Sequence, residues 1–140
     1  MADDQWTVAR GVYEGKPMLV RTNEALRALV GDKQHKYQVG IAVPFKHSRA
    51  DGFPPDEEIA GLNEIEDRIV DLFKATDGHL FAIVITTGGM REFVVYTSDP
   101  GRARTQFQTL KSKTRSHEVQ FMVQEDPEWR VYTSLSSGGS

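Results

Sequence analysis

Cysteine is absent from all 140 residues, which excludes disulfides, thiolate metal sites and cysteine nucleophiles and suits a reducing compartment. Long apolar runs are absent too. None approaches the roughly 18 to 20 residues of a membrane-spanning helix, and the opening Met1, Ala2, Asp3, Asp4 is acidic where a signal peptide is basic. The expectation is a cytoplasmic chain with no membrane partner. A basic excess is also missing: 17 Lys and Arg stand against 20 Asp and Glu, a formal charge of −3. This disfavours nucleic acid as a partner while leaving room for a local basic patch.

The patterning that catalytic and cofactor sites need is equally scarce. There is no GxSxG nucleophile elbow and no GxGxxG dinucleotide fingerprint. His35, His47, His79 and His117 are scattered without HxH or HExxH spacing and without carboxylates arranged as a ligand set. Each reads as a surface or strand-end histidine, and neither a metal nor a cofactor is expected. Gly11 with Gly15 and Lys16 resembles a phosphate loop, but the spacing is short and Pro17 stands where Ser or Thr is required. That segment reads as a turn.

What is present is a well-punctuated series of elements. The runs Trp6 to Tyr13 and Lys16 to Arg21 are β-prone and meet at Glu14 and Gly15, which predicts a hairpin. Asn23 caps a short helix that Gly31 stops. In Tyr37 to Pro44, the side chains of Tyr37, Val39, Ile41 and Val43 share one face of a strand, with Gln38, Gly40 and Ala42 on the other. Pro55, Asp56, Glu57 and Glu58 then open a long helix whose acidic first turn suits the positive end of its dipole. Ile59, Leu62, Ile65, Ile69, Leu72 and Phe73 recur at helical spacing until Asp77 and Gly78.

Strands from His79 to Thr87 and from Met90 to Thr97 join at Gly88-Gly89, a pair that favours a tight hairpin. Ser98 or Asp99 caps a second helix with Pro100 at its start and Ala103, Phe107 and Leu110 as its buried stripe. The last strand, His117 to Gln124, places Val119, Phe121 and Val123 on one face.

From Tyr37 onward the order is βαββαβ. This predicts one α+β domain, residues 1–133, with a ferredoxin-like core of one antiparallel sheet carrying two helices on one face. Residues 1–36 are its N-terminal hairpin and short helix, 37–125 the core, 126–133 a C-terminal segment and 134–140 a flexible Ser/Gly tail. The strand His79 to Thr87 is apolar on both sides, Phe81, Ile83 and Ile85 opposing Leu80, Ala82 and Val84. The second sheet face therefore needs a cover, for which the N-terminal hairpin and short helix are the first candidate and a homodimer the second.

The same order raises an RNA-recognition motif, which stacks bases on aromatics of its central strands. Phe93, Val94 and Tyr96 match only the end of its octapeptide, and Gly40 occupies the place of the companion aromatic. That reading is disfavoured.

Two sets of residues stand out as candidate sites. The first helix, Asp56 to Lys74, carries seven acids and two bases, and the second, Asp99 to Arg115, one acid and five bases. Glu57, Glu64, Asp67 and Asp71 fall on one stripe opposite the first helix's apolar face, which offers a charged docking surface for a protein partner or, more simply, a solvated face loosely paired with the basic helix. The second set is the polar loop Phe45 to Pro54, with Lys46, His47, Arg49 and Asp51 beside Arg91 and Glu92. It could serve a small ligand or an enzyme site, or be a plain connection turning at Asp51-Gly52.

Several features in order resemble the bacterial domain-of-unknown-function family numbered 695. They are Trp6 with Tyr13, Gly52-Phe53-Pro54 before the acidic helix with Leu62 and Ile65-Glu66-Asp67, Thr87 to Phe93 leading to Tyr96, and Asp126-Pro127-Glu128-Trp129 with Tyr132. That family is similar to the regulator of ribonuclease E activity B, a small acidic protein that inhibits its enzyme by binding it. The resemblance implies a ferredoxin-like fold, a protein partner and a regulatory role, and it brings no catalytic residue. Asp126 and Trp129 read first as structural, since Asp-Pro starts turns and a buried indole finds a hydrogen-bond partner.

Overall fold

The structure is a computed structural model that describes residues 4–136. Met1 to Asp3 of the acidic opening and residues 137–140 of the expected tail lie outside it. The chain forms a mixed α+β domain with one six-stranded antiparallel sheet. The strands are β1 (Trp6–Tyr13), β2 (Lys16–Asn23), β3 (Tyr37–Pro44), β4 (His79–Thr87), β5 (Met90–Thr97) and β6 (Gln120–Glu125), in the order β1-β2-β4-β5-β3-β6. Among the described residues three α-helices accompany them: α1 (Asp56–Leu72), α2 (Pro100–Lys113) and α3 (Arg130–Ser136). None among the described residues is long and apolar enough to cross a membrane.

Local chemistry explains the boundaries. Glu14 and Gly15 both take positive φ, 51° and 78°, as do Gly88 and Gly89, 60° and 85°. These are the backbone conformations of the two-residue turns whose twist matches antiparallel strands. Asp99 caps α2 by accepting from the Arg102 N–H at 3.0 Å. Asn23 accepts from the Ala25 N–H at 3.2 Å, although the segment it starts, Glu24–Leu29, is a 3₁₀ turn rather than an α-helix. The long helix ends at Leu72, before the expected Asp77, and a short 3₁₀ turn follows.

Both long helices pack on one sheet face. Leu62, Ile65 and Ile69 of α1 and Ala103, Phe107 and Leu110 of α2 bury against Val39, Ile41, Val43, Val84, Phe93 and Val95. Full burial of such side chains contributes about 1.5–3 kcal/mol each. A second core fills part of the opposite face, where Val20, Leu26, Ala82, Ile83, Val94 and Tyr96 meet Trp129 and Tyr132.

Three expectations change here. The N-terminal hairpin does not lie over the second face. It extends the sheet, with β2 pairing antiparallel to β4 from Met18↔Thr87 to Thr22↔Ile83. Without β2, one side of β4 would be an open row of unpaired backbone groups, a liability that pairing removes. The cover is instead the 3₁₀ turn, through Leu26, together with the C-terminal segment, whose Ser134 to Ser136 belong to α3 rather than to a tail. Finally, the alternation of β4 breaks at an irregularity between Phe81 and Ile83. The inserted residue shifts the pattern, so Phe81 and Val84 face the helices while Leu80, Ala82, Ile83 and Ile85 face the other side.

Candidate functional site

The acidic stripe is where its spacing predicts. Glu57, Glu64, Asp67 and Asp71 are all exposed along α1. Only Glu64 has an ion-pair partner, Arg68 on the same helix at 3.9 Å, a separation worth little at a surface. The basic residues of α2 do not neutralise the stripe: among the described residues no α1 carboxylate pairs with an α2 base. Arg102 turns to Asp77 at 3.0 Å, and Arg104 lies 4.8 Å over the Phe121 ring. The remaining partially buried acid of this helix, Glu66, is held in a two-pronged ion pair with Arg21 of β2.

The loop set does not converge. Phe45 N–H donates to Gly89 O and Gly89 N–H to Gly52 O, both at 2.9 Å, so the loop is laced to the β4–β5 turn. Gly52 is required there: its φ is +85°, and a Cβ would sit 3.1 Å from Gly88 N. The side chains of Lys46, His47 and Arg49 point into solvent, and Arg49 pairs locally with Asp51 at 3.0 Å. Arg91 and Glu92 are consecutive in β5, so their side chains leave opposite faces of the sheet. Arg91 lies on the helix face and donates from Nε to Thr86 Oγ1 at 3.0 Å. Burial, then the neighbouring Arg21, pull its pKa down, and Glu66 opposes them. Glu92 lies on the other face, where burial raises its pKa.

Glu58 and His117 form a buried pair, so His117 is not the surface histidine its scattered position suggests. Glu58 Oε2 is 2.8 Å from His117 Nε2, with both side chains under 5% exposed. Glu58 also accepts the backbone N–H groups of Lys46, at 3.2 Å, and His47. Burial alone would raise its pKa, but the His117 contact and the two backbone donors outweigh that and leave it lowered. His117 Nδ1 is 3.0 Å from Ser116 Oγ. His79 is buried as well, with Nδ1 2.9 Å from Thr97 Oγ1, and burial is the main cause of its lowered pKa.

A signal for the pair existed. Residues 58, 62, 65 and 69 share one helical face, and His117 heads the alternating row 117, 119, 121 and 123 of the expected last strand, although that strand forms only from Gln120 and His117 lies in the approach to it. In its position the pair fastens the start of α1 to the loop and to the approach to β6.

Asp126 and Trp129 are structural, as their residue types imply. The Trp129 indole is fully buried and donates to His35 O at 2.8 Å. Asp126 accepts from Tyr96 Oη at 2.7 Å and from the Arg130 and Val131 N–H groups at 2.8 and 3.0 Å. It thereby ties β5 to the start of α3.

Fold and surface together define an α+β domain whose longest helix carries a stripe of exposed carboxylates that the neighbouring basic helix does not pair. The family of unknown function DUF695 matches residues 4–136, and the chain belongs to that family. Neither the curated proteins nor the solved structures give a match.

Proposed function

We propose that the protein is a binding or regulatory module that docks a basic protein surface through Glu57, Glu64, Asp67 and Asp71 of α1. The observation that supports this is the missing neutralisation: four exposed carboxylates follow one stripe while the adjacent basic helix directs its arginines elsewhere. Complementary charge of this kind speeds encounter and sets orientation more than it adds affinity. A nucleic-acid enzyme presents such a basic surface, because it must grip phosphates, and a ribonuclease-like partner in the cytoplasm fits the reading. The order β6-β3-β5-β4 with α1 and α2 on one face supports treating those strands as a ferredoxin-like unit that the hairpin extends.

The test compares wild type with a variant in which all four carboxylates become Ala, using partner captured from the native host and identified by mass spectrometry. Purified partner should bind the folded variant at least tenfold more weakly and with a flatter salt dependence. Unchanged binding would return the stripe to an ordinary solvated surface.

A further inference from the structure

The second sheet face is covered at only one end. Trp129, Tyr132 and α3 fill the part above Val94 and Tyr96, and beyond Leu135 the face opens into a cavity of about 440 Å³. That volume falls within the range of small-molecule sites. Its floor is Met18, Ile85 and Met90 and its wall Val131 and Leu135; Tyr13, Thr87 and Ser134 add hydroxyls to the lining, and among the described residues its one charged group is Glu92. The carboxylate comes from the middle of the sheet, since Glu92 pairs with Ile85 on β4 and with Ala42 on β3.

The position is unusual for a carboxylate. Glu92 stands in the row that continues as Val94 and Tyr96, both fully buried. No described residue hydrogen-bonds to it, and no Lys, Arg or His lines the cavity. Room for the side chain exists because Gly40 lies beneath it: a methyl at Gly40 would collide with the Glu92 carboxylate and come within 3.3 Å of Met122 Cε. Glu92 is half-buried, and a partly dehydrated carboxylate without a hydrogen-bond donor from the described residues costs free energy that a bound cation would offset.

We propose that this cavity binds a small apolar molecule bearing one protonated amine, the ammonium pairing with Glu92 and the apolar body lying against Met18, Ile85, Met90 and Leu135. The cation follows from the charge that has no partner, and the apolar body follows from the floor and wall. Burial that holds the Glu92 carboxyl above its ordinary range supports the pairing, because an ammonium would stabilise the ionised form. The site lies across the sheet from α1, so it is independent of the acidic stripe.

Hexylamine, hexanol and hexanoate, which share a chain and differ in head-group charge, are the probes. The sequence has four methionines, and Met18 and Met90 line the cavity, so methyl NMR of ¹³C-methionine protein reads the site directly. Hexylamine should shift the Met18 and Met90 signals saturably and bind at least tenfold more tightly than hexanol or hexanoate. Glu92→Gln should remove that preference while leaving hexanol binding unchanged. Glu92→Ala, which removes the carboxylate outright, should likewise abolish the amine preference, and it serves if the first variant does not fold. Equal binding of the three probes, an undiminished amine preference in the folded variants, or no saturable shift at Met18 and Met90 would overturn the proposal. The quadruple α1 variant should bind hexylamine as wild type does, so failure here is separable from failure of the docking reading.

Discussion

Tyr96 and Trp129 stack face to face, with ring centroids 4.0 Å apart and planes 7° from parallel. Tyr96 belongs to the central strand β5, while Trp129 adopts a positive φ of 58° in the short segment before α3. A bulky residue takes that conformation only where its surroundings compensate. Here the compensation is the stack, the indole hydrogen bond to His35 O and the edge contact with Tyr132 at 5.7 Å. The C-terminal segment is thereby part of the core.

Tyr96→Phe keeps the stack but removes a hydroxyl that donates to Asp126 at 2.7 Å and accepts the Tyr132 N–H at 3.2 Å. Both partners would be left short in a buried place, at a cost of about 1–3 kcal/mol. Urea unfolding should show this loss with the m-value unchanged. A loss below about 0.5 kcal/mol would mean that α3 does not depend on this bond.

Gly52→Ala tests the lacing of the polar loop. Alanine at a φ of +85° is strained, and its Cβ would lie 3.1 and 3.2 Å from Gly88 N and Cα, backbone atoms that cannot swing aside. The expected destabilisation is about 1–3 kcal/mol, read by denaturant titration. Wild-type stability in this variant would show that the loop is not held against the β4–β5 turn.

Much of this architecture is legible in local signals. Glu14-Gly15 and Gly88-Gly89 mark their turns, Asp99 its cap, and the rows Val39, Ile41, Val43 and Leu62, Ile65, Ile69 the faces that meet. What escapes is long-range. That β4 is apolar on both sides can be met by a cover or by placing it inside the sheet, and no local signal chooses between them. The inserted residue near Ala82 reverses the facing of Ile83 and Val84 without altering composition. The acidic stripe was readable because exposure follows helical period. Glu92 is adjacent in sequence to Arg91 but leaves the other face of the sheet, with Gly40 and the cavity beside it, a separation that only the strand pairing makes visible.

The quadruple α1 variant makes a claim about stability as well as docking. Exposed carboxylates with one distant partner contribute a few tenths of a kcal/mol each at most, and Ala has the better helix propensity. Thermal and urea unfolding should therefore agree with wild type to within about 1 kcal/mol. A larger loss would show that these side chains support the fold and would remove the basis for using the variant as a binding probe.

The Glu58–His117 pair predicts how stability responds to acid. In the native state the Glu58 carboxyl sits below its ordinary value of 4.5, because His117 and the Lys46 and His47 N–H groups favour the ionised form against the cost of burial. In the unfolded chain it regains its ordinary affinity for protons. Through that interval the unfolded state binds more protons, so stability rises with pH. The contribution is complete above the unfolded value and is lost as pH falls through the native one. Glu58→Ala, which strands His117 and two backbone donors, should cost about 3–5 kcal/mol at neutral pH. Glu58→Gln supplies the pH readout, since it keeps an acceptor but cannot titrate. Measured by urea unfolding from about pH 8 to about pH 3, its deficit relative to wild type should be constant at the upper end and shrink below pH 4.5. Stability curves for the two proteins that stay parallel to the lowest pH would contradict a lowered Glu58 pKa, and with it the role of this pair in holding α1 to the loop and to the approach to β6.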